Sequence, residues 1–175
     1  MLNIIYNYFF LYSLLYIIIS SNKFFFRFNN LFFISSIFFH LTITIIYINI
    51  FPVGDWETFM WSQEDGVKQL KLSEISFASF RTSNLVLTII FFSKKFLYLN
   101  NVNIIFLFSI ISFFGILIFV NNLIKLGLEK KLAYWLMFLP GIHFWTGTVG
   151  KDALLIFFLS YFFSLYIEKK FFFSL

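Results

Sequence analysis

Across 175 residues the chain is 61% hydrophobic and 12% charged, with a mean hydropathy of +0.89, whereas a soluble domain runs at about 45–50% apolar and about 25% charged. So few polar groups cannot cover the outside of a water-soluble fold, and the absence of cysteine excludes disulfides, thiolate chemistry and cysteine metal sites. The net charge of +5 is carried by basic residues scattered between apolar stretches, a pattern that argues against nucleic acid and for membrane orientation signals and headgroup contacts.

A bilayer core takes about 20 apolar residues as a helix. Helix A is expected from Leu2 to Ser20, followed by Lys23 and Arg27 in a short polar connection. Nothing in Met1 to Asn3 is basic and no small-residue cleavage site follows, so a secretory signal is not expected. Helix B runs uncharged from Leu31 to Phe51 and stops at Pro52. Residues 53–101 read as an external loop with an interfacial helix. Their polar part, Val53 to Ser83, holds Asp55, Glu57, Glu64, Asp65, Lys68, Lys71, Glu74 and Arg81. Segment C, Asn84 to Ser93, has only ten residues before Lys94 and Lys95, which suits an interfacial or re-entrant helix better than a span. Helix D covers Val102 to Ile124. Helix E, Leu132 to Trp145, is short and contains Pro140; helix F, Ala153 to Ile167, is followed by Glu168, Lys169 and Lys170. The expected fold is therefore all-α: one integral membrane domain over 1–175, a transmembrane bundle of about five spans plus the interfacial helix. There is no repeat of fixed period. The 31 phenylalanines accompany an excess of other residues with AT-rich codons, so a Phe stripe here carries little information.

Lysine and arginine counts orient the bundle. If C does not cross, Lys23, Arg27, Lys125, Lys130, Lys131, Lys169 and Lys170 share one side in three short connections. That density makes their side cytoplasmic. The other, external side then carries both the Val53–Asn101 segment and the Pro140–Asp152 turn.

Two constellations on that external side could carry chemistry. In Val53-Gly54-Asp55-Trp56-Glu57, two carboxylates two residues apart stand just beyond helix B. They can serve as a general base or hold a divalent metal, the one cofactor the pattern admits; acids also simply mark solvated loops. In Phe138 to Asp152, Pro140, Gly141, Gly147 and Gly150 break the helix, and broken backbone at membrane depth needs protein or a watery cavity around it. Asp152, beside Lys151, sits at the positive end of the helix F dipole. His143 has the chemistry of a proton carrier, although a single His is more often a structural hydrogen-bonder; His40 within helix B reads the same way. Arg81, Lys94 and Lys95 flank segment C and suit a lipid-carrier phosphate or an ordinary anionic headgroup.

An acid immediately outside an early helix, followed by an interfacial segment, resembles the first external loop of GT-C glycosyltransferases, which include the protein O-mannosyltransferases and the lipid A aminoarabinose transferases. Asp55 in Gly54-Asp55-Trp56-Glu57 stands at the place of that family's catalytic Asp. The basic turn Leu126-Gly127-Leu128-Glu129-Lys130-Lys131, the short helix to Pro140 and the run Lys151-Asp152-Ala153-Leu154-Leu155 are similar to a later family pattern. The resemblance implies a multi-pass protein of a bacterial inner membrane that transfers a sugar from a polyprenyl-phosphate donor. Family members have about twice as many spans, so it also implies that this is the N-terminal part of a larger enzyme. Asp55, with Glu57, becomes the catalytic pair; Arg81, Lys94, Lys95, Lys151, Asp152 and His143 become substrate-binding residues; membrane lipid and the donor become the partners. The other readings are a non-catalytic membrane protein fragment and an envelope-polysaccharide protein of polymerase type. A transporter fits less well, because the predicted spans hold almost no ionisable side chains.

Overall fold

Long apolar runs free of interior Pro favour helix, and in the computed structural model, which describes residues 2–22, 28–50, 59 and 82–173, helix is the only regular secondary structure among those residues. Seven helices are described: α1 (Leu2–Ser21), α2 (Asn30–Ile50), α3 (Thr82–Lys95), α4 (Asn101–Lys125), α5 (Lys130–Leu136), α6 (Pro140–Thr146) and α7 (Lys151–Phe173). Polar side chains set their ends. Asn29 Oδ1 accepts from the Leu31 and Phe32 N–H groups at 3.0 and 3.4 Å and so starts α2. Asn100 does the same for α4 through the Asn103 N–H at 2.8 Å. Buried Asn22 holds the α1–α2 turn, accepting from Phe28 N at 3.0 Å and donating to Phe28 O at 3.2 Å. After α4 the chain closes with the 6→1 bond Leu128 N to Leu123 O and the 5→2 bond Gly127 N to Ile124 O, both 3.0 Å, with Gly127 at φ +97°.

One expectation needs correcting. Helix E is two helices of seven residues each, separated at residues 137–139. Proline has no N–H and its ring collides with the preceding turn, so the chain breaks before Pro140 and restarts with it in the first turn of α6. Among the described residues, fewer than five helices are long and apolar enough to cross a bilayer as single unbroken rods. By length and composition α2 and α4 qualify, with mean hydropathies of 2.1 and 2.6; a third is gained if α6 and α7, bent by 115° at their junction, count as one broken span. Seven residues of helix rise only about 10 Å, which removes α5 and α6 as single spans. Tyr8–Ser21 forms a shorter apolar helix, and α3 ends after 14 residues in Lys94 and Lys95.

The interior consists of two apolar clusters. One gathers Ile18, Phe28, Phe33, Ile37, Ile110, Phe113, Ile116, Val120, Ala133 and Met137. The other gathers Val86, Ile90, Leu99, Ile104, Phe108, Val149, Ala153 and Leu154, with Phe10, Ile48 and Phe59 packed against it. These memberships give the path. From the second cluster α1 runs to the first; α2 returns; α4 runs to the first again; α5 and α6 return as a broken pair; and α7 descends beside α4. Helices α4 and α7 are therefore parallel, which Lys125 Nζ and Glu168 Oε1 at 3.2 Å confirm at their C-terminal ends. That exposed ion pair contributes little energy. Their approach is set by Gly115: a Cβ there would stand 2.7 Å from the backbone N and Cα of Phe157, so only glycine lets the two backbones come so close.

Candidate functional site

The sequence-predicted residues divide into three groups. Asp55, Glu57 and Arg81 lie outside the described residues. Lys151 and Asp152 are exposed in the first turn of α7, at the end of the bundle held by the second cluster. Lys94 and Lys95 close α3, whose Val86 and Ile90 are fully buried in that same cluster; Lys95 Nζ stands 5.1 Å from the centre of the Phe91 ring. His143 is different. It is completely buried on α6, and the fold brings it against His40 of α2, 103 residues away.

The two rings meet Nδ1 to Nδ1 at 2.6 Å. His40 Nε2 faces Ser109 O of α4 at 2.9 Å, and His143 Nε2 faces Met137 O, just past the end of α5, at 2.7 Å. Ser112 Oγ lies 3.2 Å from His40 Nε2 while donating to Ser109 O at 2.8 Å. One turn along α2, Thr44 Oγ1 donates to Gly147 O and His40 O, each at 3.0 Å, and lies 3.1 Å from Ser109 Oγ. Phe39 and Phe113 close the sides, with ring centres 5.1 Å from His143 and 5.5 Å from His40. A polar layer thus lies between the two apolar clusters, drawn from α2, α4 and the broken α5–α6 return. Ser109 is about 12 Å along α4 from Asn101 at 1.5 Å per residue, well inside that helix.

The local sequence explains why the layer forms. The break between α5 and α6 and the end of α6 leave carbonyls without helical partners, and such groups are costly in an apolar interior. Met137 O is met by His143, and Gly147 O by Thr44. Glycine at 147 is required: a Cβ would stand 2.5 Å from Thr44 Oγ1 and 2.7 Å from His143 O. Sequence reasoning named His40 and His143 separately and missed the pair. The available signal was that the chain's two histidines both fall in apolar runs, where each requires a polar partner.

An apolar hollow of about 290 Å³ opens at the opposite end from Lys151, walled by Phe32, Tyr134, Trp135 and Phe138, with Lys131 among its lining residues. Among the described residues no three His, Cys, Asp or Glu side chains come together as a metal site. Comparison with protein-family models, with curated proteins and with solved structures gives no match.

Proposed function

We propose that this chain is a multi-pass protein of the bacterial inner membrane, with α1, α2, α4, the α5–α6 return and α7 as five passes and α3 at the external surface. We infer further that it acts as a membrane glycosyltransferase, moving a sugar from a polyprenyl-phosphate donor at that external face. In the reaction Asp55 takes the proton of the acceptor hydroxyl, with Glu57 assisting. The freed oxygen attacks the anomeric carbon from the face opposite the phosphate. The bond from that carbon to the phosphate oxygen breaks, and its electron pair stays on the phosphate. Arg81, Lys94 and Lys95 hold the growing charge, and Lys151 and Asp152 shape the cavity on its acceptor side; His143, expected among the substrate-binding residues, is buried against His40 and has no part in it.

One observation supports this reading above the others: α2 ends and α7 begins at the same end of the bundle. Ile48, near the end of α2, and Phe59 both pack against the cluster that contains Ala153 and Leu154 at the start of α7. The basic residues Lys125, Lys130 and Lys131 follow the other ends. Transfer from a labelled polyprenyl-phosphate sugar by the full gene product, with Asp55→Asn alongside, tests it. Loss of transfer in the variant is expected; equal transfer by both proteins rules out the role of Asp55, and no transfer by either favours a non-catalytic membrane protein.

A further inference from the structure

The histidine pair has a hydrogen-bond count that closes with neutral rings only if one ring gives up its carbonyl contact. A backbone carbonyl only accepts, so His40 Nε2 facing Ser109 O and His143 Nε2 facing Met137 O must each carry a hydrogen. A neutral imidazole has one such hydrogen. Both Nδ1 atoms would then be bare, and two lone pairs would point at each other across 2.6 Å. One added proton resolves this, because a single N–H between the two Nδ1 atoms turns the clash into a charge-assisted bond.

A neutral alternative exists on paper. His40 would carry its hydrogen on Nδ1 and accept from Ser112 Oγ at 3.2 Å. Its bare Nε2 would then face the Ser109 oxygen at 2.9 Å, and Ser112 would surrender a shorter bond of 2.8 Å to that same oxygen. The Nδ1–Nδ1 and Met137 contacts are made in both arrangements; two contacts, at 2.9 and 2.8 Å, favour the protonated one and a single longer contact, at 3.2 Å, favours the neutral one.

We propose that His40 and His143 form a proton-binding site, holding one proton between their Nδ1 atoms and so carrying a single positive charge inside the bundle. Among the described residues, the groups around the rings from α2, α4, α5 and α6 are hydroxyls, carbonyls and phenyl rings, with no acid. The Ser109 and Met137 carbonyl oxygens face the two rings, the latter at the negative end of α5. Because one ring belongs to α2 and the other to the broken return, the hydrogen bond between the two Nδ1 atoms joins these elements.

The chain's two histidines make the test direct. Imidazole ¹⁵N labelling of the whole chain, reconstituted in lipid nanodiscs without a histidine tag, yields four ring-nitrogen signals, all from this pair. At neutral pH the site requires three protons over four nitrogens, both Nε2 atoms protonated, and a through-hydrogen-bond coupling between the two Nδ1 nuclei. Ser112→Ala leaves that pattern unchanged, because Ser112 is not needed to hold the proton. His143→Gln abolishes the coupling and leaves the His40 ring with one hydrogen. Two protons over the four nitrogens, four protons, or no coupling between the Nδ1 nuclei in the unmutated protein would each overturn the proposal. So would a change of tautomer at His40 in Ser112→Ala.

Discussion

Replacing Gly115 by alanine tests the closest backbone contact in the bundle. The new Cβ would stand 2.7 Å from Phe157 N and Cα and 2.9 Å from Ile156 C, whereas carbon atoms rest at about 3.5–4.0 Å. All three neighbours are backbone, so no side-chain rotation relieves the overlap and α4 and α7 must separate by about 1 Å. Overpacking of a tight interior costs about 1–3 kcal/mol, and a backbone collision belongs at the upper end. Alanine recovers about 1 kcal/mol of helix propensity, which leaves a net loss of about 1–2 kcal/mol. Gly141→Ala is the control. It also lies in a helix, but its Cβ meets nothing within 4 Å, so it should gain up to about 1 kcal/mol. Unfolding in mixed detergent micelles, followed by circular dichroism, reads both variants. If Gly115→Ala proves as stable as Gly141→Ala, the α4–α7 packing described here is wrong.

Three further outcomes follow from single positions. Gly127→Ala, at φ +97° with open space around its Cβ, isolates the cost of left-handed backbone and should destabilise by about 1 kcal/mol in the same melt. Gly147→Ala places a Cβ 2.5 Å from Thr44 Oγ1; it should cost about 1–3 kcal/mol and speed amide exchange at the end of α6, with unchanged exchange counting against the Thr44 contact. Ser160→Ala removes a buried hydroxyl with no hydrogen-bond partner among the described residues, so its stability should stay within about 0.5 kcal/mol of the parent; a large loss would mean that Ser160 Oγ has an essential partner.

The ends of helices were readable from particular residues. Pro140 gave the break before α6, Gly127 the turn after α4, and Lys94 with Lys95 the end of α3, because each acts through its own backbone or immediate neighbours. The break was read too weakly. One helix was expected over Leu132–Trp145, yet proline without an N–H cannot continue a helix that has barely begun, and the result is two seven-residue pieces. The tight α4–α7 contact at Gly115 was not readable at all, since nothing near Gly115 in the chain names Phe157 as its neighbour.

Composition and the length of the uncharged apolar runs, by themselves, determined that the described chain would be helical and rich in apolar faces. Those properties sum over residues and need no partner. Tertiary structure alone decided that His40 and His143 would meet, that Ser109 and Met137 would turn their carbonyls toward those rings, and that the pair would lie between two apolar clusters. A side chain's proton count depends on which donors and acceptors surround it, and here they come from helices up to 103 residues apart.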